Sequence, residues 1–364
     1  MKREESLTVR GIGVLLLFFY HFIRLGSIGT YGLSTWPLRA ETMDALCAYG
    51  QFCVPLFVFL SAYGRAASYD RACAGRENLS GAESTAFTVK AWFRLMPGYW
   101  LVFALALLAL LCAPGIHVAD IYGVGMQGFL NFLLDLFGLS YQTSPTLNPS
   151  WWYIAQAQIV VFLTPILMRW FRKEPISLLA ASVLVRNLTV GGILEYGSMY
   201  LLAIAAGIAF REWGVFEKIR AFRPFGREWL GRLVSSAVSV LLLVTAYFAR
   251  PYAAAYYVDL IAGIAMCGLG VLVFCRIPGL APLLRLLGRH SLNLYLTHTF
   301  LILYCKDWIY ATGNAWLTVA VALAVTLAAS FTLEGFKRLA RFGAFFDRWA
   351  ARLSGKREEE KARV

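Results

Sequence analysis

Apolar residues in this chain are gathered into long runs, separated by short polar, charged or Gly- and Pro-containing stretches. Ten runs are candidate membrane helices: roughly 10–28, 46–65, 95–113, 151–170, 176–191, 196–212, 231–249, 255–275, 290–310 and 315–336. About 20 apolar residues, rising about 1.5 Å each, cross a hydrocarbon core of about 30 Å. A further apolar segment, 124–140 (VGMQGFLNFLLDLFGLS), is shorter than that and contains Asp135. Its length and its acid predict an interfacial or re-entrant helix on the outer side. The pattern as a whole predicts an all-α, polytopic membrane protein with about ten transmembrane helices. Residues 1–340 form its transmembrane domain and 341–364 a basic tail.

Composition leads the same way. Of 364 residues, 59% are hydrophobic and only 15% charged, and the mean hydropathy is +0.62. A soluble domain carries about 25% charged residues. The net charge is +13, and its distribution sets the orientation. With the N-terminus in the cytoplasm, 29 of the 34 Lys and Arg residues fall on inner segments. Only Arg24, Arg39, Arg186, Arg250 and Lys306 fall outside. Basic loops stay on the cytoplasmic side, so both termini are expected there, most naturally in a bacterial plasma membrane. Because the positive charge is spread over six separate segments, it does not describe a nucleic-acid surface. Lys2 and Arg3 precede the first run without a small-residue cleavage site after it, so that run reads as an uncleaved helix. The seven cysteines form no CxxC pair, and neither a disulfide framework nor a metal site is suggested.

Candidate chemistry begins in the first run. Arg10 and His21 are eleven residues apart, about 20° past three full helical turns, and so share a face. With Arg10 at one surface, His21 lies about halfway across the core, where an ionisable group is costly; it reads either as a functional site or as a His that satisfies a neighbouring helix by a hydrogen bond. Lys90 and Arg94 share a face at the start of the third run, at the cytoplasmic boundary. They read either as ordinary positive-inside flanking or as an anion clamp for a phosphorylated donor. In the ninth run Ser291, Tyr295 and His298 fall at i, i+4 and i+7 and form a polar stripe. That stripe is either an inter-helix hydrogen-bond ladder or the lining of a cavity with an oxyanion donor. His290 and His117 look less distinctive. Trp151 and Trp152 open the fourth run at the outer interface, where aromatics anchor helices and also stack on sugars. Gln156 and Gln158 follow on opposite faces.

The order of these motifs is more specific than any one of them. Arg10-x10-His21 comes first, then FLSAYG closing the second run and K-x3-R-L-M-P-x-Y opening the third. SWWYI opens the fourth run, and G-x2-SLNLYLTH lies in the ninth. Across nearly the whole chain this series resembles the acyltransferase-3 family of membrane-bound sugar O-acyltransferases. The resemblance implies a ten-helix protein that moves an acyl group, often acetyl, from cytoplasmic acyl-CoA to a carbohydrate at or beyond the outer face. It assigns essential roles to Arg10 and His21 and donor binding to the Lys90 and Arg94 region. The family's basic pair is usually Arg-x2-Arg; here Arg94, Pro97 and Tyr99 match, while Ala91 stands at the first Arg. Many members carry Glu five residues after the fourth-helix Trp, where this chain has Gln156. Transfer would place the acceptor past Trp151, Trp152 and Gln156, with a partner protein for acceptor delivery as a further expectation. A transporter or flippase for an anionic or sugar-lipid substrate would also place buried His and Arg on an aqueous path. An inactive relative serving in assembly is the third reading.

Overall fold

The computed structural model describes residues 1–112, 117–141, 144–188 and 197–353. Residues 354–364 of the basic tail, 113 of the third run, 189–191 of the fifth and 196 of the sixth lie outside the described residues. The first helices are α1 (Arg3–Phe22), α2 (Leu25–Thr30), α3 (Ala40–Tyr49), α4 (Cys53–Cys73) and α5 (Gly81–Cys112). Then come α6 (Val118–Tyr122), α7 (Gly125–Leu136), α8 (Trp152–Lys173), α9 (Pro175–Leu188) and α10 (Leu201–Glu212). They are followed by α11 (Val215–Ala221), α12 (Glu228–Ala249), α13 (Ala255–Leu272) and α14 (Leu280–Tyr304). Last come α15 (Lys306–Tyr310), α16 (Ala315–Leu339) and α17 (Phe342–Leu353). No β-strand occurs among the described residues, and the protein is an all-α polytopic membrane protein.

Each of the ten apolar runs overlaps at least one helix among the described residues. Seven helices are long and apolar enough to cross a bilayer: Arg3–Phe22, Ala40–Cys73, Gly81–Cys112, Pro149–Lys173, Glu228–Ala249, Ala255–Arg276 and Ala315–Leu339. Of the other three, α9 has 14 residues and α10 has 12. The third, α14, is 25 residues long but carries Arg285 and Arg289. Segment 124–140 supplies α7, whose 12 residues rise roughly 18 Å, well short of a span.

By contact the chain forms two compact units, residues 1–64 with 199–330, and residues 65–198 with 331–364. In the first unit α1 lies along α14. Lipid tails are as apolar as leucine, so close packing, rather than removal from water, holds such helices together. Glycine makes that packing possible at two reciprocal points. A Cβ on Gly11 would collide with the Leu284 carbonyl, and one on Gly288 with the Leu7 carbonyl. Val14, Phe18, Phe22, Leu287, Leu294 and Leu301 fill the core that follows. Near the start of α1, Glu4 pairs with Arg285 at 3.0 Å and Glu5 with Arg220 at 2.9 Å. These pairs fix the register of the helix that carries His21.

In the second unit the acid of α7 organises its surroundings. Asp135 is 0% exposed. It accepts hydrogen bonds from the Tyr122 hydroxyl at 2.6 Å, the Thr146 hydroxyl at 2.7 Å and the Leu147 N–H at 2.9 Å. The Tyr99 hydroxyl reaches its backbone carbonyl and, at 3.3 Å, its carboxylate. Burial pushes the Asp135 carboxyl above the usual range, while these donors pull it back. An isolated buried carboxylate would be prohibitive; four convergent donors make it tolerable. Gln158 completes the brace. It accepts from Trp92 Nε1 at 2.8 Å and donates to the Phe137 and Gly138 carbonyls at 2.8 and 3.0 Å.

Candidate active site

The α1–α14 packing brings His21 against His298. His21 Nδ1 and His298 Nε2 are 2.7 Å apart, and the rings stack with centroids at 4.8 Å and 29° between planes. His298 is fully buried and His21 half-buried. On its other side, His298 Nδ1 lies 2.8 Å from the Tyr295 carbonyl. This last contact decides the protons. A carbonyl oxygen only accepts, so His298 Nδ1 carries hydrogen and donates. With neutral rings, His298 Nε2 is then an acceptor, and His21 Nδ1–H donates to it. The lone pair of His21 is left on Nε2. The tautomers are thus inferred from the hydrogen-bond network. Phe18 and Tyr20 pack against the two rings, with centroids at 5.5 and 5.0 Å.

This arrangement can do acid–base chemistry. A His whose Nδ1–H is held by a partner presents Nε2 in one orientation, ready to take a proton. Of the ninth-run stripe, His298 and the carbonyl of Tyr295 join the pair. Ser291 is half-buried, two turns earlier on α14. Arg10 is half-buried on α1, and eleven residues of helix place it roughly 16 Å along the axis from His21. The two therefore lie at different points along α1. His290, the less distinctive histidine, contacts the Ser330 hydroxyl at 2.8 Å, which also accepts from Asn293 Nδ2 at 2.9 Å. This contact ties α14 to α16.

Lys90 and Arg94 lie in the second unit, on a cavity of about 760 Å³, within the usual range for small-molecule pockets. Arg65 and Arg71 line it as well, together with Phe87, Ala91, Glu83 and Asp347. A sequence reading counts Arg65 and Arg71 only among the inner-loop charges. The one signal that could single out Arg65 is its place directly after FLSAYG. The Arg65 guanidinium sits 3.9 Å from the Phe87 ring centroid. Its Nε and Nη2 are buried without a hydrogen-bond partner. Four cations against two acids around one cavity suit a polyanionic ligand. Ala91, at the family's first-Arg position, lines the same cavity.

The aromatic pair at the start of α8 divides. Trp151 is 1% exposed and packs on Tyr99 and Phe103, with centroids at 5.1 and 6.0 Å. Trp152 is half-buried beside Tyr153. Gln156 is 1% exposed, and its Nε2 finds no partner. Gln158, on the opposite face, is fully engaged. Among the described residues no group of three His, Cys, Asp or Glu side chains could hold a metal ion.

A family model described as an acyltransferase domain matches residues 8–335. The chain belongs to the acyltransferase-3 family. No curated protein and no solved structure matches it. The acyltransferase-3 match takes in most of α1 and all of α14, with His21 and His298, and all four basic residues of the cavity. The chain is accordingly a multi-pass membrane acyltransferase.

Proposed function

We propose that this acyltransferase moves an acyl group, typically acetyl, from cytoplasmic acyl-CoA to a hydroxyl of a cell-surface or lipid-linked carbohydrate. The observation that supports it most is the chain from the Tyr295 carbonyl through His298 to His21, which leaves His21 Nε2 basic. In the step proposed, Nε2 takes the proton of the acceptor hydroxyl as its oxygen attacks the thioester carbonyl. A C–O bond forms and the C–S bond breaks. The proton then passes from His21 to the leaving thiolate, giving free coenzyme A. The imidazolium formed in between keeps both N–H groups hydrogen-bonded, one to the acceptor oxygen and one to His298. Arg65, Arg71, Lys90 and Arg94 supply charge for the donor phosphates. Gln156, with an unused amide donor, is the proposed acceptor-side contact.

The test uses purified protein in nanodiscs with acetyl-labelled coenzyme A and a carbohydrate acceptor. Label should reach the acceptor in wild type and not in His21→Ala. Label retained on the protein, and released by neutral hydroxylamine, would make His21 an acyl carrier instead of a base. Movement of an unmodified substrate across vesicles, with no label transferred, would replace the enzyme reading by a transporter.

A further inference from the structure

The C-terminal helix α17 has a division of faces that the acyl-transfer reading does not use. Its sequence is FGAFFDRWAARL. At about 100° per residue, Phe342, Phe345, Trp349 and Leu353 fall within an arc of roughly 80°. Phe345, Trp349 and Leu353 are 47, 45 and 58% exposed. Arg348 and Arg352, one turn apart, border that arc on one side, and Arg341 precedes the helix. On the other border Phe346 packs against Phe93 and Trp100 of α5, with centroids at 6.2 and 5.9 Å. Ala350 is buried next to it. Asp347 and Ala351, opposite the aromatic arc, line the basic cavity. The helix is therefore seated on the protein by one edge, with an aromatic face and an arginine border turned outward.

An exposed aromatic stripe edged by arginine is the pattern of a helix lying in the plane of a bilayer interface. The rings enter the acyl boundary, and the guanidinium groups reach lipid phosphates. We propose that α17 binds the anionic surface of the bilayer in which the protein resides. Charge decides the choice of lipid: arginine on the border favours acidic headgroups over zwitterionic ones.

Hydrogen–deuterium exchange on the full-length protein tests this in nanodiscs of pure phosphatidylcholine and of phosphatidylcholine mixed with phosphatidylglycerol. Amides of 342–353 should exchange more slowly in the anionic discs, by about fivefold for each arginine engaged. The Arg348→Glu, Arg352→Glu double variant should abolish the difference, while α5 peptides report an unchanged fold. Phe345→Ser with Trp349→Ser should speed exchange in both lipids. Equal exchange in the two lipids for wild type would overturn the proposal. So would slowing that appears only when a second protein is added. Because exchange is read without donor or acceptor, the result is independent of the catalytic reading.

Discussion

His298 has both ring nitrogens committed, one to the Tyr295 carbonyl and one to His21. In the proposed mechanism it therefore acts through His21, as a positioning residue. His298→Leu should lower kcat by about 10²-fold with little change in KM, whereas His298→Gln, which keeps an acceptor oxygen, should recover much of the loss. A parallel loss in both variants, or a change confined to KM, would mean that His298 only packs. In the cavity, Arg94→Ala should weaken donor binding by about 1.5–3 kcal/mol, and Arg65→Ala by a similar amount, measured by calorimetry in detergent. Ala91→Arg should tighten it. If Arg65→Ala and Arg94→Ala together leave donor affinity unaltered, these charges set topology alone. The sequence carries part of this picture. The i, i+4, i+7 spacing marks the face of α14 on which His298 lies, and depth marks His21. Their meeting is absent from any local period, since it joins positions 277 residues apart. Arg65 is hidden for a different reason: one more basic residue after an apolar run looks like a topology signal.

Among the elements, α7 shows how an oddity in the sequence becomes a structural device. An acid in a short apolar segment reads as an argument against a span, and the 12-residue helix agrees. Its donors, however, come from α5, α6 and the segment before α8, and no pattern announces them. Asp135→Ala leaves the buried hydroxyl of Tyr122 and the N–H of Leu147 without an acceptor, each costing about 1–3 kcal/mol. Thermal unfolding in detergent should show a clear fall in Tm, and Asp135→Asn a smaller one. An unchanged midpoint in Asp135→Ala would remove Asp135 from the brace. The glycine contacts give a second element-scale expectation. Gly11→Val drives a side chain into the Leu284 backbone and should cost about 1–3 kcal/mol through overpacking. Its activity should fall further than its stability, because the same shift separates His21 from His298. Helix α17 was the least legible element. Its aromatic and arginine residues lie in a stretch whose composition reads as a basic tail, and only helical phase sorts them into faces.

At the scale of the whole molecule, the charge asymmetry makes an orientation testable with native groups. Cys112 and Cys305 are exposed and lie on the side read as outer. An impermeant maleimide should label them in intact cells and reach an introduced Ser80→Cys only after lysis. The reverse pattern would place the basic cavity where no coenzyme A pool is expected, and the donor reading would fail with it. The first compact unit is also discontinuous, built from residues 1–64 and 199–330. This has a consequence in time. At about 5–20 residues per second, His298 leaves the ribosome roughly 14–55 s after His21. Until then α1 resides in the membrane with a mid-depth imidazole and the glycine groove of Gly11 unfilled. A nascent chain arrested before α14 should therefore be a client of membrane insertases or quality-control proteases, and full-length protein should escape them. The His21–His298 contact forms only after α14 has been made, so a product truncated before it should lack that contact and be less stable.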